Sequence, residues 1–280
     1  MKLLLGLIGA GIQRSLSPAL HEEEGRRQGL QVEYRLIDLE VLRAGTEALP
    51  GLLGDAVRQG YRGLNITFPC KQAVMPLLSG LSEEARAIGA VNTVVIQRDM
   101  LTGHNTDALG WSWGLRRALP QADLSRVVLL GAGGAGAAVG YAALGAGVRE
   151  LWIFDTDPSR AAALASSLAS RFPDKNAIHA KDLRTAVQAA VGLIHCTPTG
   201  MAGHQGMPLP ADWLRREMWV SDIVYVPLET ELLKVARRAG CKIMDGGHMN
   251  VGQAIGGFKL FTGRDADPAR MEEHFRKIVA

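Results

Sequence analysis

The sequence lacks the features that would place this protein in a membrane, in an oxidising compartment or around a metal ion. No apolar run reaches the roughly 18 residues of a membrane-spanning helix. Its three cysteines, Cys70, Cys196 and Cys241, have no metal-binding spacing and are odd in number, which favours a reducing cytoplasm. The seven histidines include no His-x-x-x-His pair, so no metal site is expected.

The chain also has little excess of positive over negative charge. The net charge is +3, and it is spread along the chain, so no nucleic-acid partner is expected. The sequence shows no internal repeat and no low-complexity segment. A length of 280 residues allows about two domains. The apolar run 3–8 leads into a glycine turn, which favours a first strand over a signal peptide.

The most informative segment is 127–155, VVLLGAGGAGAAVGYAALGAGVRELWIFD, which predicts strand, glycine turn, helix and strand. Gly131, Gly133 and Gly136 have G-x-G-x-x-G spacing. In a dinucleotide site the first glycine makes a tight turn, the second lets the backbone approach a pyrophosphate, and the third lets the helix pack closely on the sheet. The N-terminus of the helix favours phosphate. Asp155 follows at the position that binds a ribose 2′-hydroxyl. An Ala/Gly-rich core helix is the alternative, and it leaves Asp155 unexplained.

The residues after the second strand bear on the choice of cofactor. A carboxylate at Asp155 repels a 2′-phosphate, and Arg160 lies well inside the next helix, so NAD is favoured over NADP. Strand 192–196 leads into Thr-Pro-Thr-Gly-Met at the edge where the nicotinamide half is expected. The predicted cofactor-binding residues are Gly131, Gly133, Gly134, Ala135, Gly136, Asp155, Arg160, Thr197, Thr199, Met201 and Gly246.

The first hundred residues predict a second, separate α/β layer. Strands are predicted at 3–8, 32–37 and 61–66, with helices between them, which implies a parallel sheet. The first helix is expected to begin at Ser17 as its N-cap, with Pro18 at the first helical position. Ser15 has no comparable structural reason. Two hydroxyls beside a helix N-terminus can bind a carboxylate, so both serines are candidate substrate residues. The other predicted helices of this region are 46–59 and a short one opened by Pro69.

Polar residues follow the strands of this layer. Asn65 and Thr67 lie at a strand's carboxyl end, where open α/β sheets bind ligands. Lys71 is predicted in the first turn of a helix, where a cation opposes the helix dipole, which indicates function rather than helix stability. A solvated surface lysine is the alternative. Asn92 interrupts an apolar run, either as a turn residue or as a hydrogen-bonding group for hydroxyls.

The segment Asn105-Thr106-Asp107 precedes a helix that is expected to run to about residue 119 and to lead into the second layer. Capping explains any one of these three polar residues but does not require all three. The predicted domains are a dinucleotide-binding domain at 107–246 and a substrate domain at 1–106 with 247–280. Other predicted elements are helices 158–170, 182–190, 231–239, 251–260 and 268–279, and strands 192–196, 219–225 and 242–244.

Eight segments together resemble the shikimate/quinate dehydrogenase family over essentially the whole length: SLSPALH, NITFPCK, AIGAVNTVV, GHNTDALGW, GAGGAGAA, TPTGM, DIVY and GQAIGGFKLFTG. The resemblance implies an α/β substrate domain, completed by the C-terminal helices, and a Rossmann domain. It implies an oxidoreductase that interconverts a ring alcohol and a ketone with a nicotinamide cofactor. It also implies that Lys71 and Asp107 form the catalytic pair. Residues matching those that hold substrate carboxylate and hydroxyls are Ser15, Ser17, Asn65, Thr67, Asn92, Tyr225 and Gln253.

The chain departs from the family pattern at several positions. Asp155-Thr156-Asp157 replaces the Asn-Arg-Thr of NADP-using biosynthetic members and resembles the NAD-using quinate/shikimate branch. His195 replaces a usual asparagine and is interpreted as a strand-end packing residue rather than a catalyst. Cys70 replaces a common aromatic residue. The segment before Gln253 lacks the common Gln-Gly-Ala order, so its exact substrate contact stays open.

Several alternatives remain open from the sequence. Shikimate is the favoured substrate, with quinate as a second one and an aminated analogue as a third possibility. Lys71 is favoured as the base, with Asp107 orienting it, but the reverse assignment stands. A non-catalytic NAD-binding sensor and another Rossmann enzyme, such as a methylene-tetrahydrofolate dehydrogenase, are the competing classes. Monomer and homodimer are both compatible with the sequence, as are biosynthetic and catabolic roles.

Overall fold

The computed structural model describes residues 2–279, which form two compact units. The first unit ends at Thr106 and resumes at Val251, and the second is Asp107–Asn250. Residues 247–250, which the sequence assigns to the first domain, belong to the second unit. The predicted first domain extends to residues 1 and 280, which lie outside the described residues. Each unit contains one six-stranded sheet with helices, so the predicted α/β class is confirmed.

The sheet of the first unit has the order β2-β1-β3-β5-β6-β4. Strand β1 pairs in parallel with β2 and β3, as the alternation of strands and helices predicts. Strand β5 pairs antiparallel with β3 and β6, and β4 pairs in parallel with β6. The strands are β1 (Lys2–Gly9), β2 (Gln31–Asp38), β3 (Gly63–Ile66), β4 (Gly80–Leu81), β5 (Thr93–Gln97) and β6 (Met100–His104).

The β5–β6 hairpin was not predicted from the sequence. Its turn is made by Arg98 and Asp99, whose φ angles are +47° and +64°. Two-residue hairpin turns of this handedness usually carry Asn-Gly or Asp-Gly, because glycine adopts positive φ without strain. The Arg-Asp pair therefore gave no turn signal, and the strand after it was missed.

The helices of the first unit differ from the prediction, since neither Leu39–Leu42 nor Glu83–Ile88 was predicted as a helix. The predicted helix 46–59 is divided into a 3₁₀ turn, Thr46–Ala48, and a helix that begins at Leu49. Lys71 lies in a helix of only four residues, so a helix dipole gives little reason for or against its position. The helices of this region are α1 (Ser17–Arg27), α2 (Leu39–Leu42), α3 (Leu49–Arg58), α4 (Cys70–Ala73) and α5 (Glu83–Ile88).

The sheet of the second unit has the order β12-β11-β10-β7-β8-β9, with every pairing parallel. The chain runs outward from β7 to β9 and then returns to β10 on the other side of β7. This is the doubly wound order in which dinucleotides bind where the strand order reverses. The strands are β7 (Arg126–Leu130), β8 (Glu150–Phe154), β9 (Asn176–His179), β10 (Gly192–His195), β11 (Trp219–Asp222) and β12 (Lys242–Met244).

Side chains of α6 and the sheet anchor each other in this unit. Trp111 is fully buried, and its Nε1–H donates to Oγ of Ser221 on β11 at 3.1 Å. Such a partner is what a buried indole requires, since an unpaired N–H is costly. The helices are α6 (Asp107–Ala118), α7 (Gly134–Gly145), α8 (Pro158–Arg171), α9 (Leu183–Ala189) and α10 (Glu231–Arg238).

The last two helices are α11 (Gly246–Thr262) and α12 (Pro268–Val279). The first of them begins five residues before the predicted start at 251. Strand β11 is shorter than the predicted 219–225, because the Asp222 carboxylate accepts a hydrogen bond from Val224 N–H and turns the chain there. Tyr225 therefore lies beyond the strand. Among residues 2–279 there is no helix of the length and apolar character needed to cross a membrane.

Candidate functional site

The carboxyl ends of β1 and β3 lie side by side in the first sheet. Backbone bonds continue past the strands: Thr67 N–H donates to the carbonyl of Ile8 at 2.9 Å, and Ala10 N–H donates to that of Phe68 at 2.9 Å. The loop with the two candidate serines therefore leaves the same sheet edge as the segment that carries Lys71. This is the edge at which open α/β sheets bind ligands.

The two serines differ from their predicted roles. The residue at the N-cap of α1 is Leu16, and no side chain caps this helix, so the prediction of Ser17 as N-cap is wrong. Ser15 has a structural role that the sequence did not reveal, since its Oγ accepts the backbone N–H of Ser17 at 3.3 Å. The two hydroxyl oxygens are 3.2 Å apart. The pair is thus held together beside the start of α1, as a carboxylate site would need.

Two predicted substrate residues, Asn65 and Asn92, belong to one buried hydrogen-bond network of five residues. Tyr34 Oη–H donates to Oδ1 of Asn65 at 2.8 Å, and Asn65 Nδ2 donates to Oγ1 of Thr93 at 3.1 Å. Thr93 Oγ1–H donates to Oδ1 of Asn92 at 2.9 Å, which also accepts Thr106 N–H at 2.7 Å. All five residues are buried. The network fixes the orientation of both asparagine amides, because each oxygen and nitrogen has a defined partner.

Neither Tyr34 nor Thr93 was predicted to belong to this network. The ring of Tyr34 stacks on His21 of the SLSPALH segment, with 5.3 Å between ring centroids. Burial lowers the pKa of His21 to about 4, and neither ring nitrogen has a hydrogen-bond partner within the described chain. His21 is therefore a neutral aromatic group that supports Tyr34. No local pattern could reveal this, because His21 and Tyr34 lie on different elements.

The remaining candidates for substrate and proton chemistry fall in both units. Lys71 is half-buried on α4, and its carbonyl accepts Val91 N–H at 2.8 Å, which ties α4 to the residues before β5. Gln253 is buried on α11 in the first unit. Asp107 is 4% exposed and is the first residue of α6 in the second unit. Tyr225 is half-buried in the loop after β11.

The glycine turn of the second unit has the geometry that a pyrophosphate requires. Gly131 has a φ of +97°, and a Cβ added to Gly136 would lie 1.9 Å from the Gly131 carbonyl oxygen. Only glycine fits at both positions. A Cβ on Gly133 would meet nothing within 4 Å in the described chain, and no side chain caps the start of α7. The N-terminal N–H groups of this twelve-residue helix and the space at Gly133 fit a dinucleotide phosphate.

Alanine substitutions at two of these glycines are expected to affect different properties, cofactor binding in one case and stability in the other. Gly133→Ala leaves the melting temperature unchanged but weakens NADH binding at least about tenfold, because its methyl group enters the space for the pyrophosphate. Gly136→Ala destabilises the protein by about 3 kcal/mol, because its Cβ collides with backbone that cannot move aside. Thermal unfolding and NADH fluorescence titration measure the two effects.

Gly145→Ala, at the exposed end of the same helix, provides the control and is expected to change neither property. Unchanged NADH affinity in Gly133→Ala would show that the pyrophosphate does not lie against this turn.

Asp155 has a structural role in addition to its predicted one. Its Oδ2 accepts Ala132 N–H at 2.7 Å, and its Oδ1 accepts Asp157 N–H at 2.9 Å. The carboxylate thus ties the end of β8 to the glycine turn. Arg160 is exposed on α8 and lies near Asp157, with 3.5 Å between Nε and Oδ2. If residues 134–145 formed only an Ala/Gly-rich core helix, these two hydrogen bonds would still explain why residue 155 is an aspartate. The same bonds are compatible with ribose binding.

The end of β10 holds a buried polar pair. His195 and Asp222 are both fully buried, with Nδ1 of the ring 3.0 Å from Oδ1 of the carboxylate. The other ring nitrogen, Nε2, lies 2.5 Å from Oγ1 of Thr197. The interpretation of His195 as a packing residue explains its burial but not these contacts. Local sequence does not predict this pair, because its members are 27 residues apart.

The other predicted cofactor residues lie around this loop and the start of α11. Thr199 N–H donates to Oγ1 of Thr197 at 3.3 Å, and Met201 is exposed. A Cβ on Gly246 would lie 2.3 Å from the carbonyl oxygen of Val224. Close backbone packing is therefore sufficient reason for glycine at 246, beside the predicted contact with a cofactor.

The described part of the chain has neither a cluster of metal ligands nor a disulfide. Residues 2–279 contain no group of three His, Cys, Asp or Glu side chains that could hold a metal ion. Cys70, Cys196 and Cys241 are buried and form no disulfide. Burial raises the pKa of the Cys70 thiol to about 11, so this residue next to Lys71 is a packing group and not a nucleophile.

Comparison with known proteins identifies a family for both units. Residues 7–94 match the model of the shikimate dehydrogenase substrate binding domain. A shikimate dehydrogenase (NADP(+)) of Arthrobacter sp. (strain FB24) is 50% identical over 99% of this chain and 95% of its own. A quinate/shikimate dehydrogenase (NAD(+)) of Corynebacterium glutamicum (strain R) is 46% identical over 99% of both chains.

Solved structures give the same result. The quinate dehydrogenase from Corynebacterium glutamicum in complex with NAD superposes with a TM-score of 0.90 at 46% identity, covering 99% of each chain. The shikimate 5-dehydrogenase from Thermus thermophilus, in complex with NADP(H) and shikimate, has a TM-score of 0.86 at 36% identity. It covers 98% of this chain and 99% of its own. The resemblance found from the sequence motifs is confirmed by these similarities.

Proposed function

Because the chain belongs to the shikimate/quinate dehydrogenase family of oxidoreductases, we propose that it interconverts shikimate and 3-dehydroshikimate with NAD. Quinate and 3-dehydroquinate are proposed as a second substrate pair. The observation that carries the proposal is the buried network that orients Asn65 and Asn92 at one sheet edge. Such preorganised amides suit a ligand with several hydroxyls, since they need no rearrangement to bind it.

The proposed substrate contacts divide by chemistry. The paired hydroxyls of Ser15 and Ser17 bind the ring carboxylate beside the start of α1. Amide and hydroxyl groups bind the ring hydroxyls, and these are proposed to be Asn65, Thr67, Asn92, Tyr225 and Gln253. Quinate has an extra hydroxyl on the carbon that bears the carboxylate. The serine pair is therefore the place where shikimate and quinate are distinguished.

The proposed reaction separates the two hydrogens of a secondary alcohol. A bound nicotinamide cofactor would supply the acceptor for the C–H hydrogen, which leaves as hydride. The amine of Lys71 accepts the O–H proton as the C=O bond forms, and returns it in the reverse direction. Asp107 is proposed to act with Lys71, its carboxylate stabilising the positive charge that develops when the amine takes up the proton. The proton passes from the alcohol oxygen to the Lys71 nitrogen, and the electron pair of the C–H bond would pass with the hydride to the cofactor.

The glycine turn and Asp155 support a nicotinamide dinucleotide, and we propose NAD as the preferred form. A 2′-phosphate placed near the Asp155 carboxylate would meet a like charge, which weakens binding. Relatives named for either cofactor are similar to this chain, at 50% identity for an NADP(+) enzyme and 46% for an NAD(+) enzyme. Overall similarity therefore does not decide the preference, and the local charge carries the proposal.

Steady-state kinetics with shikimate and each cofactor is the direct test. We expect kcat/KM for NAD to exceed that for NADP about a hundredfold, which corresponds to a repulsion of about 2.7 kcal/mol. Asp155→Asn, of equal size, is expected to reduce this preference at least about tenfold. Asp157→Asn removes a charge two residues later from an exposed helix cap and is expected to leave the preference unchanged. A preference for NADP in the wild type would show that Asp155 does not face the 2′ position.

A substrate panel tests the reaction itself. NADH formation is expected with shikimate and, more weakly, with quinate. Absence of turnover with every cyclohexene and cyclohexane carboxylate, aminated analogues included, combined with intact NADH binding, would favour a non-catalytic sensor. Turnover confined to quinate or to an aminated analogue would keep the reaction class and change only the substrate.

A further inference from the structure

His195 and Asp222 form a buried polar pair that has no role in the proposed hydride and proton transfer. The carboxylate of Asp222 is bound from three directions. Oδ1 accepts Val224 N–H at 3.0 Å and faces Nδ1 of His195 at 3.0 Å, and Oδ2 accepts the Thr230 hydroxyl at 2.7 Å. The Thr230 hydroxyl in turn accepts Leu233 N–H at the start of α10. These bonds fix the carboxylate and make it an acceptor only.

A fixed acceptor at Nδ1 decides the tautomer of His195. The ring must place its proton on Nδ1 to donate to Asp222, so in the neutral imidazole Nε2 is an acceptor. Within the described chain, Nε2 has Oγ1 of Thr197 as its hydrogen-bond partner, at 2.5 Å. The Thr197 hydroxyl therefore uses its single proton to donate to the ring.

The direction of that proton fixes the next hydroxyl as well. The Oγ1 atoms of Thr197 and Thr199 lie 3.2 Å apart, and the former also accepts Thr199 N–H at 3.3 Å. Because the Thr197 proton points to His195, only the Thr199 hydroxyl can donate in this contact. The proton of Thr199 is thus directed at Thr197, and both lone pairs of the Thr199 oxygen are left to accept hydrogen bonds. Thr199 is half-buried.

We propose that His195 and Asp222 are positioning residues that make Thr199 a hydrogen-bond acceptor for a donor group on the nicotinamide half of the cofactor. The proposal rests on the proposed binding of NAD by this unit. Its position at the carboxyl ends of β10 and β11 agrees with it, because dinucleotides lie across that edge in doubly wound sheets. The donor is either the carboxamide N–H of nicotinamide or a hydroxyl of its ribose, and both present the same chemistry to Thr199.

The tautomer is measured first, on the protein without cofactor. In protein labelled with ¹⁵N-histidine, we expect the NMR shifts of His195 to show the proton on Nδ1 and a neutral Nε2. In Asp222→Ala, Nδ1 loses its acceptor, and the proton is expected to move to Nε2, where Thr197 can accept it. A wild-type proton on Nε2, or on both nitrogens, would overturn the inference without any buried substitution.

NADH binding, followed by fluorescence titration, measures the consequence. Thr199→Val is expected to weaken binding about 5- to 10-fold, which is the size of one hydrogen bond, and Thr199→Ser to leave it within about twofold. Asp222→Ala releases the His195 tautomer, so that the Thr197 hydroxyl can donate to Thr199, and it is expected to weaken binding by a similar factor. In the Thr199→Val background it should have less than about a twofold further effect. Asp212→Asn, at an exposed site in the same unit, is the control and is expected to bind NADH normally.

The outcomes separate this inference from the proposed function. Equal effects of Asp222→Ala with and without the Thr199 hydroxyl would mean that Asp222 only maintains the fold, and would overturn the inference alone. Absence of NADH binding by the wild type would overturn both proposals. The NADH analogue in which 3-acetylpyridine replaces nicotinamide lacks the amide N–H. If Thr199→Val has no effect on its binding, the donor is the carboxamide, and an unchanged effect identifies the ribose.

Discussion

Replacing Lys71 by methionine is expected to lower turnover of shikimate about 10³-fold while leaving NADH affinity unchanged. Methionine keeps the unbranched, apolar part of the side chain but cannot accept or return a proton. General acid–base catalysis typically contributes about 10²- to 10⁴-fold, and that contribution is what the substitution removes. Lys71 lies in the first unit and the glycine turn lies in the second, so cofactor binding should persist. Stopped-flow or steady-state NADH formation, together with fluorescence titration, measures both quantities.

A matched control is Lys234→Met, at an exposed position on α10, which is expected to have normal turnover. Near-normal turnover of Lys71→Met would remove Lys71 from the reaction and leave it as a surface group. A rise in KM for shikimate with unchanged kcat would show uniform substrate binding rather than proton exchange.

Asp107→Asn distinguishes the proposed role of Asp107 from a structural one. An acidic residue at the start of a helix stabilises it, and Asp107 opens α6. If this is its only role, asparagine lowers the melting temperature and leaves turnover nearly intact. The proposed function predicts the opposite, a large loss of kcat that persists at temperatures where the variant is fully folded.

The second large effect is on stability. Arg270→Met is expected to lower the free energy of unfolding by about 3 kcal/mol, because it leaves a buried carboxylate without its charge partner. Glu24 is 1% exposed on α1, and it accepts from Nε and Nη2 of Arg270 on α12 at 2.8 and 2.6 Å. It also accepts Asp267 N–H and Gln28 Nε2–H. These bonds join the first and last helices of the first unit.

The pH dependence of this deficit has a definite sign. Burial raises the pKa of Glu24, but the bonds from Arg270, Asp267 and Gln28 outweigh it, so the folded-state pKa is below the usual value of 4.5. A carboxyl with a lowered pKa stabilises the fold above its unfolded-state pKa and loses that contribution as pH falls. The difference between wild type and Arg270→Met should therefore shrink below about pH 4.5. Urea denaturation at about pH 7 and about pH 4 measures it.

The adjacent residue provides the control. Glu23 pairs with Arg26 and Arg27 on the exposed face of the same helix. Pairs exposed to solvent contribute little, so Glu23→Gln should leave the melting temperature almost unchanged. Equal losses of unfolding free energy in Glu23→Gln and Arg270→Met would show that the contact between α1 and α12 contributes no more to stability than an exposed ion pair.

Local signals in the chain were sufficient for most elements of the fold. Apolar runs predicted β1, β7, β8 and β10, because buried strands in parallel sheets must be apolar on both faces. The glycine spacing predicted the β7–α7 turn, and the structure gives Gly131 and Gly136 the steric reasons on which the pattern depends. Errors occurred where the local signal was weak or ambiguous, as at the Arg98-Asp99 turn and at Ser17 before a proline.

The candidate site was only partly predictable for a related reason. Polar residues at strand ends could be found one by one, as Asn65 and Asn92 were. Their partners could not, because Tyr34 lies 31 residues from Asn65, and nothing near Tyr34 indicates the contact. His195 gave a visible departure from the family pattern. Its function as a partner of Asp222 depends on the pairing of β10 with β11, which no local pattern specifies.

The sequence by itself determined the two α/β units, the dinucleotide turn, the family and the identities of the candidate residues. These depend on short-range rules: strand and helix periodicity, the conformational freedom of glycine, and the chemistry of single side chains. Tertiary structure alone decided which polar groups are paired, such as Glu24 with Arg270 at a separation of 246 residues. A buried polar group must find a partner, but the chain's path through space, not its local sequence, determines which partner is within reach.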